Sequence, residues 1–490
     1  MLCTQSRQGR AQSLCTLVFV LVAVSVLLVS CIEGNREETE ADRSAFGTYV
    51  DSLDSSLEGK WFTRMGVSSD ADSLLSYLRR ELPQNGLDSS AFFIPQIAED
   101  LDIVHRLAFD SVGVSINELL PRLDNHLSKA FVSYSIGQRY GFVLPDKLLN
   151  SMDYKVGGGG HARLFDYEVK APDSTEAERK LTASDRLDYL RDSQPKNYVY
   201  QALYRKMEKT TDKETRSKLA INMERCRWQI KHPEEHERRI LVNIPSLQLW
   251  AIGADSVLNM RICCGARATK TPLLNSHIKY MQVNPDWIIP HNIVKSDVAR
   301  HGGDSAYFAR HRYYIVDRSG GDTLNPTEVT SAQMVSGNLR IGQKGGAGNS
   351  LGRIVFRFPN NFSVYLHDTN NRGAFNSDKR TLSHGCVRVQ KPFELACFLL
   401  PDADAWLKDR IRISMDIQPQ TERGRAYLRE HHGPRPFRLI SYQDVTPQVP
   451  LYIVYFTAYP NPSTGFVETW PDVYGYDQAV SNGMKSYLLK

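Results

Sequence analysis

The stretch Thr381-Leu382-Ser383-His384-Gly385-Cys386-Val387-Arg388-Val389 sets a thiol in a polar, glycine-containing turn, and Tyr365-Leu366-His367-Asp368-Thr369 places an imidazole 19 residues before that thiol. A free thiol, with a pKa of about 8.5, is mostly protonated near neutrality and needs a base before it can attack a carbonyl. His367 is the candidate base. It ends an apparent strand, where a side chain is held rigidly, and Cys386 opens the strand Val387–Val389. Adjacent antiparallel strands would bring the two within hydrogen-bond reach. A Cys–His pair is the minimum for covalent acyl transfer. Gly385 lets the backbone approach a carbonyl closely, so the amides around Gly385 and Cys386 are candidates for an oxyanion hole. Arg388, two residues on and on the same strand face, is placed to hold a substrate carboxylate bidentately. Three other readings stay open on residue chemistry alone. They are a buried inert thiol, a zinc site from His367, His384 and Cys386 with Asp368 contributing, and a solvated loop of chance composition.

Such a site needs a rigid frame, and the surrounding sequence reads as β. Ile240 to Trp250 alternates, Gly253 to Ser256 is a turn, and Val257 to Cys264 resumes, which predicts a hairpin. Ile354, Phe356 and Phe358 alternate, as do Phe362, Val364 and Leu366 after Pro359-Asn360-Asn361. Pro392 suits the first turn of a helix running to about Leu400, and Tyr452 to Tyr459 is a late strand. The expected fold class is α+β, with a mainly β, sandwich-like half over 239–460 and a tail over 461–490. Residues 281–348 are too long for an ordinary connection. They carry Trp287, the aromatics Tyr307, Phe308, Tyr313 and Tyr314, and glycines at 342, 345, 346 and 348 that could hinge.

Upstream the periodicity is helical. Leu74, Leu75, Leu78 and Leu82 share a face, as do Ile97, Leu101, Val104 and Ala108, and Leu123, Leu127, Phe131 and Tyr134. Residues 198–228 are helical again, so 70–235 reads as a helical domain. It is interrupted by a polar linker at 155–195 whose Gly157–Gly160 run lacks the Gly-Lys-Ser/Thr of a phosphate loop. Ahead of it, Arg7 and Arg10 precede an apolar run from Leu14 to Ser30 that ends at Cys31. That pattern predicts a signal peptide over 1–30, and Leu28-Val29-Ser30-Cys31 resembles a lipobox with Cys31 lipidated. Residues 31–69 then form a tether, and the body lies outside the cytoplasm. With Cys3, Cys15 and Cys31 set aside, Cys226, Cys263, Cys264, Cys386 and Cys397 remain, an odd number, so at least one thiol is unpaired within the chain. A net charge of +5 over 490 residues gives no reason to expect nucleic-acid binding. The 41% hydrophobic and 23% charged content excludes a wholly disordered or collagen-like chain.

Ser383-His384-Gly385-Cys386-Val387-Arg388 with His367 upstream resembles the signature of L,D-transpeptidases with the YkuD-type catalytic domain. Asn349-Ser350-Leu351-Gly352-Arg353, Tyr365 to Thr369, Lys270-Thr271-Pro272 and Asn284-Pro285-Asp286-Trp287 resemble the larger, multidomain envelope members. Leu127 to Gly141 and Asn222 to Trp228 are similar to their helical scaffold. The resemblance implies a cysteine acyltransferase that cross-links peptidoglycan stem peptides; the alternatives are an L,D-carboxypeptidase or endopeptidase with the same nucleophile and a catalytically inactive wall-binding scaffold. It implies Cys386 as nucleophile, His367 as proton donor and acceptor, and His384, Ser383 and Gly385 shaping the site and its oxyanion hole. Arg388, Tyr365, Trp287 and Asn349 would contact substrate. Asp368 ranks below these, because a backbone carbonyl often faces the base's second nitrogen. The resemblance further implies no metal or organic cofactor, a carbapenem-sensitive thiol, and a capping subdomain over 281–348. The expected setting is a lipid anchor at the periplasmic side of the envelope, on the outer membrane, with protein partners unknown. A helical wall-binding module often present in such scaffolds has no room in 155–195.

Overall fold

The computed structural model describes residues 60–63, 66–152, 163–433 and 437–489. The signal sequence, Cys31 and the Gly157–Gly160 run lie outside them. Residues 67–490 form one compact unit, and Phe62–Thr63 is a short strand of the unit before it.

Five longer helices build the N-terminal part: α1 (Ser69–Gln84), α2 (Ile94–Arg106), α3 (Ile116–Tyr140), α4 (Tyr198–Glu208) and α5 (Lys213–Arg227). Their starts follow from capping chemistry. Ser115 Oγ accepts the Asn117 N–H, Asn197 Oδ1 the Tyr200 N–H and Asp212 Oδ2 the Thr215 N–H, satisfying amides that have no partner inside the helix. The predicted stripes face inward: Leu74, Leu78, Leu82, Leu123, Leu127 and Phe131 are wholly buried. The described part of the polar 155–195 stretch contains two short helices, Thr175–Lys180 and Arg186–Asp192. Its Phe165 pairs with Leu273, and the Tyr167 hydroxyl donates to the Ile453 carbonyl, so the segment straps onto the β part of the molecule.

The β part corrects the expected sandwich: eight strands close into a barrel. They are β1 (Arg239–Asn243), β2 (Gln248–Ile252), β3 (Val257–Gly265), β4 (Leu274–Val283), β5 (Ile354–Arg357), β6 (Leu366–His367), β7 (Val387–Val389) and β8 (Tyr442–Val454). Around the barrel the order is β3-β7-β6-β5-β4-β8-β1-β2 and back to β3. β6–β7 and β8–β1 are parallel and the other pairs antiparallel. Closure depends on β3, which pairs with β2 along its first half and with β7 along its second. A sandwich and a barrel both bury one face of each strand, so they share the alternating pattern read from the sequence. Ile262, Phe356, Leu366, Val387 and Val389 line the interior and are fully buried. By alternation His367, Arg388 and Cys263 point out of the barrel.

Residues 287–343 add a second, four-stranded sheet in the order Trp287–Ile288, Leu339–Gln343, Tyr313–Asp317, Thr323–Leu324. It has its own core, including Ile289, Val298, Phe308, Ile315, Met334 and Ile341. The crossings at its base are pinned: the Gly345 N–H donates to Asp286 Oδ1 at 2.7 Å and Arg312 Nη1 donates to the Ala347 carbonyl at 2.6 Å.

Candidate active site

β6 and β7 are adjacent, as the chemistry of the pair requires, but they run parallel rather than antiparallel. Leu366 lies beside Val387 and His367 beside Arg388. The antiparallel arrangement expected from the sequence fails because the connection between them makes a 3₁₀ turn at Arg372–Asn376. The chain then lays Thr381–Ser383 along the free edge of β3 before re-entering the barrel as β7. The Val387 N–H donates to the Tyr365 carbonyl at 3.1 Å, which locks Cys386 beside Tyr365.

The turn holding Cys386 is tightly specified. Gly385 has φ of +113°, a conformation that a side chain strains. Ser383 Oγ donates to the Cys386 carbonyl at 2.5 Å and accepts the Gly385 N–H at 3.2 Å. Thr271 Oγ1 donates to the Gly385 carbonyl at 2.8 Å, and Thr269 Oγ1 donates to the Ser383 carbonyl at 2.8 Å. Tyr474, from the C-terminal segment, donates to the Gly265 carbonyl and accepts the Thr271 N–H, so residues beyond 460 brace the same turn. The Gly385 amide is engaged inside the turn, which leaves the Cys386 N–H as the oxyanion-hole candidate.

Cys386 is partly exposed, whereas Cys226, Cys263 and Cys264 are buried; all five described cysteines are free. Burial pushes the Cys386 thiol up, opposed by hydrogen bonds from the Tyr365 backbone and hydroxyl and by the charges of Arg357 and Arg388. The Tyr365 hydroxyl lies near the Trp287 indole and the Cys386 thiol, and burial pushes it up to about 12. Burial and the neighbouring Arg388 charge push His367 down to about 3, although the backbone at Asp368 and Leu351 favours the protonated ring. The resting pair is therefore a neutral imidazole and a protonated thiol. His367 Nδ1 and Arg388 Nε are enclosed without a hydrogen-bond partner of full geometry among the described residues.

The remaining sequence candidates divide. Trp287 joins the site through Tyr365. His384 is about half exposed, with Nε2 3.8 Å from Asp297 Oδ2 of the second sheet's unit. Asn349 is buried and committed to backbone: its Nδ2 donates to Lys344 and its Oδ1 accepts the Leu351 N–H, so it ties a loop. Asp368 accepts the Arg353 N–H and the Arg372 guanidinium, each at 2.9 Å, and serves the loop rather than the imidazole. Among the described residues no three His, Cys, Asp or Glu side chains gather as metal ligands, and with His384 turned to Asp297 the zinc set does not assemble. Sequence reasoning missed Thr269, Thr271 and Arg357. The last was legible, because the inward alternation of Ile354, Phe356 and Phe358 places Arg357 outward beside Tyr365.

Comparison with known proteins agrees with this geometry. Residues 237–413 match the family model of the YkuD L,D-transpeptidase catalytic domain, and residues 57–207 match that of a scaffold domain. A Haemophilus influenzae protein named "Putative L,D-transpeptidase" is 29% identical over 367 residues, covering 72% of this chain and 69% of that protein. Proteins of this family act through a cysteine nucleophile. With the thiol, the imidazole and the barrel in place, the chain is identified as one that joins a YkuD-type L,D-transpeptidase catalytic domain to a separate N-terminal scaffold domain, as in the multidomain envelope members.

Proposed function

We propose that this protein cross-links peptidoglycan, joining the diamino acids of neighbouring stem peptides through a thioester on Cys386. The observation that supports this reading is the setting of the thiol. It is partly exposed on a positive-φ turn, near the Tyr365 hydroxyl, on the strand beside the one that carries His367. Cys386 Sγ attacks the carbonyl of the third residue of a tetrapeptide donor. The C–S bond forms, the thiol proton passes to His367 and then to the departing nitrogen, and the bond to the terminal D-Ala breaks. The side-chain amine of a second stem attacks the thioester. A C–N bond forms, the C–S bond breaks, and the proton shed by the amine returns through His367 to the thiolate. Because the resting imidazole is neutral, the thiol loses its proton only as negative charge develops on the carbonyl oxygen, where the Cys386 N–H receives it. Arg388 holds a donor carboxylate. Water in place of the amine gives a carboxypeptidase or endopeptidase.

Incubation with disaccharide tetrapeptide, resolved by mass, tests the reading. Dimer supports it, tripeptide monomer replaces it with hydrolysis, and no change rejects both. A carbapenem should add once to the wild type and not to Cys386→Ala. We also propose that Cys31 carries the lipid that holds the protein at the periplasmic side of the envelope, on the outer membrane. Palmitate labelling that survives Cys31→Ser would reject that placement.

A further inference from the structure

Beside Tyr365, a cleft of about 330 Å³ opens to solvent on the outer face of the barrel, lined among others by Lys279, Tyr280, Arg357, Pro359, Asn360 and Tyr365. No acidic side chain lines it. Arg357 lies across its floor, with the guanidinium 4.3 Å above the Tyr365 ring. Its Nε donates to Gln282 Oε1 at 2.8 Å, and no carboxylate pairs with it among the described residues. Asp444, two strands away on the far side of Tyr280, accepts the Tyr442 hydroxyl at 2.6 Å. A guanidinium held over a ring, fixed at one nitrogen and without an anionic partner among the described residues, is preorganised to take a carboxylate from outside.

The thiol thus sits between two cations: Arg388 on its own strand, and Arg357 on the far side of the Tyr365 ring whose hydroxyl touches it. A transpeptidase must bring two stems to one thiol. The side toward His384 faces the second sheet's unit through Asp297 and suits a donor that has to be enclosed. The Arg357 side is open and suits an acceptor that enters once the leaving group has gone. We propose that this cleft is the acceptor subsite, in which Arg357, helped by Lys279 at the rim, binds a free carboxylate carried next to the attacking amine. The proposal deepens the transpeptidase reading and rests on it.

The test separates the two half-reactions. Thioester formation from tetrapeptide donor is followed by intact mass, and dimer formation is followed against acceptor concentration. Acceptor stems are supplied with the carboxylate beside the amine either free or amidated. Wild type should prefer the free acid by about tenfold or more in KM, the scale of one charge-assisted hydrogen bond. Arg357→Met should raise the acceptor KM by a similar factor and abolish that preference. Because the Arg357 charge also favours the thiolate, any slowing of thioester formation should be much smaller than the rise in acceptor KM, and Arg357→Lys should recover part of the preference. An unchanged acceptor KM in folded Arg357→Met overturns the subsite. So does a thioester step slowed as much as acceptor use, which would confine Arg357 to the donor or the thiol. A wild-type enzyme that forms the thioester but ignores the amidation state overturns the subsite while sparing the transpeptidase reading; one that forms no thioester overturns both.

Discussion

Two groups of polar side chains, one wholly buried in the helical part and one partly buried on the barrel, contain similar residues and behave differently. In the helices Arg227 and Glu224 have no exposed side-chain surface. Arg227 donates to Gln138 at 3.0 Å, to Asn85 at 2.8 Å and to Glu224 at 3.4 Å. Glu224 Oε1 receives the Phe142 and Val143 N–H groups and the Trp228 indole. The network closes on itself and joins α1, α3 and α5 around one ion pair. On the barrel His367 is buried too, yet among the described residues its Nδ1 and the Nε of the partly buried Arg388 have no hydrogen-bond partner of full geometry, and no carboxylate pairs with the partly buried Arg357. A buried group left unbonded costs about 1–3 kcal/mol. Burial of charge is thus no sign of function by itself; what separates the two groups is whether the chain or an arriving molecule completes their bonds.

The sharpest way to break the contrast is to remove a member of each group. Cys386→Ala should abolish dimer and thioester formation while leaving the thermal midpoint unchanged, and Cys397→Ala should do neither. Retained turnover in Cys386→Ala would remove the mechanism. His367→Gln should lower thioester formation by about 10²–10⁴-fold, the usual worth of a positioned base. It should also change the acid response of stability. The native imidazole resists protonation down to about pH 3, while the unfolded ring takes its proton near pH 6.5. Stability conferred by the neutral ring is therefore complete above about 6.5 and is lost as pH falls toward 3, by up to about 1.4 kcal/mol per pH unit. Denaturation curves across that window should be flatter for His367→Gln than for wild type, and equal slopes would place the ring in water. Glu224→Leu should do the reverse of Cys386→Ala. Leaving Arg227 buried and unpaired should cost about 3–5 kcal/mol by denaturant titration, with kcat unchanged where the variant remains folded.

The same contrast explains what could be read from the sequence. The helical stripes were legible because each depends on contacts three and four residues apart. The polar turn around Cys386 was legible because Ser383-His384-Gly385 fixes its own geometry. Barrel closure was not, since β8 pairs in parallel with β1, Leu451 beside Ile240, across more than 200 residues. The parallel sense of β6 and β7 was hidden for the same reason, because Thr381–Ser383 leaves for a different edge between them. Asn349 and His384 stand in the sequence like site residues. Only packing shows one tying a loop and the other reaching for Asp297. The roles of Thr271 and Tyr474 depend on a brace formed between residues 203 apart in the chain.

The smallest expected effect tests whether residues 287–343 act on the reaction or merely sit beside it. This unit has its own core and pinned crossings, so removing a large piece, for example the helix Ser305–His311 with Phe308, would expose that core and report only unfolding. A narrower change is available where His384 Nε2, on the turn that holds Cys386, lies 3.8 Å from Asp297 Oδ2, a pair that is ionic when His384 carries a proton. Both side chains are about half exposed, and pairs of that kind contribute at most about 1 kcal/mol. If the unit closes over the donor and keeps water from the thioester, Asp297→Asn should raise the ratio of tripeptide to dimer by no more than about fivefold, with thioester formation unaltered. Raising the salt should move wild type toward the variant, because screening weakens an exposed pair, and should leave the variant where it is. A ratio that stays the same in Asp297→Asn at low salt would mean that the contact does not bear on water exclusion. The preference for amine over water would then have to come from the cleft at Arg357.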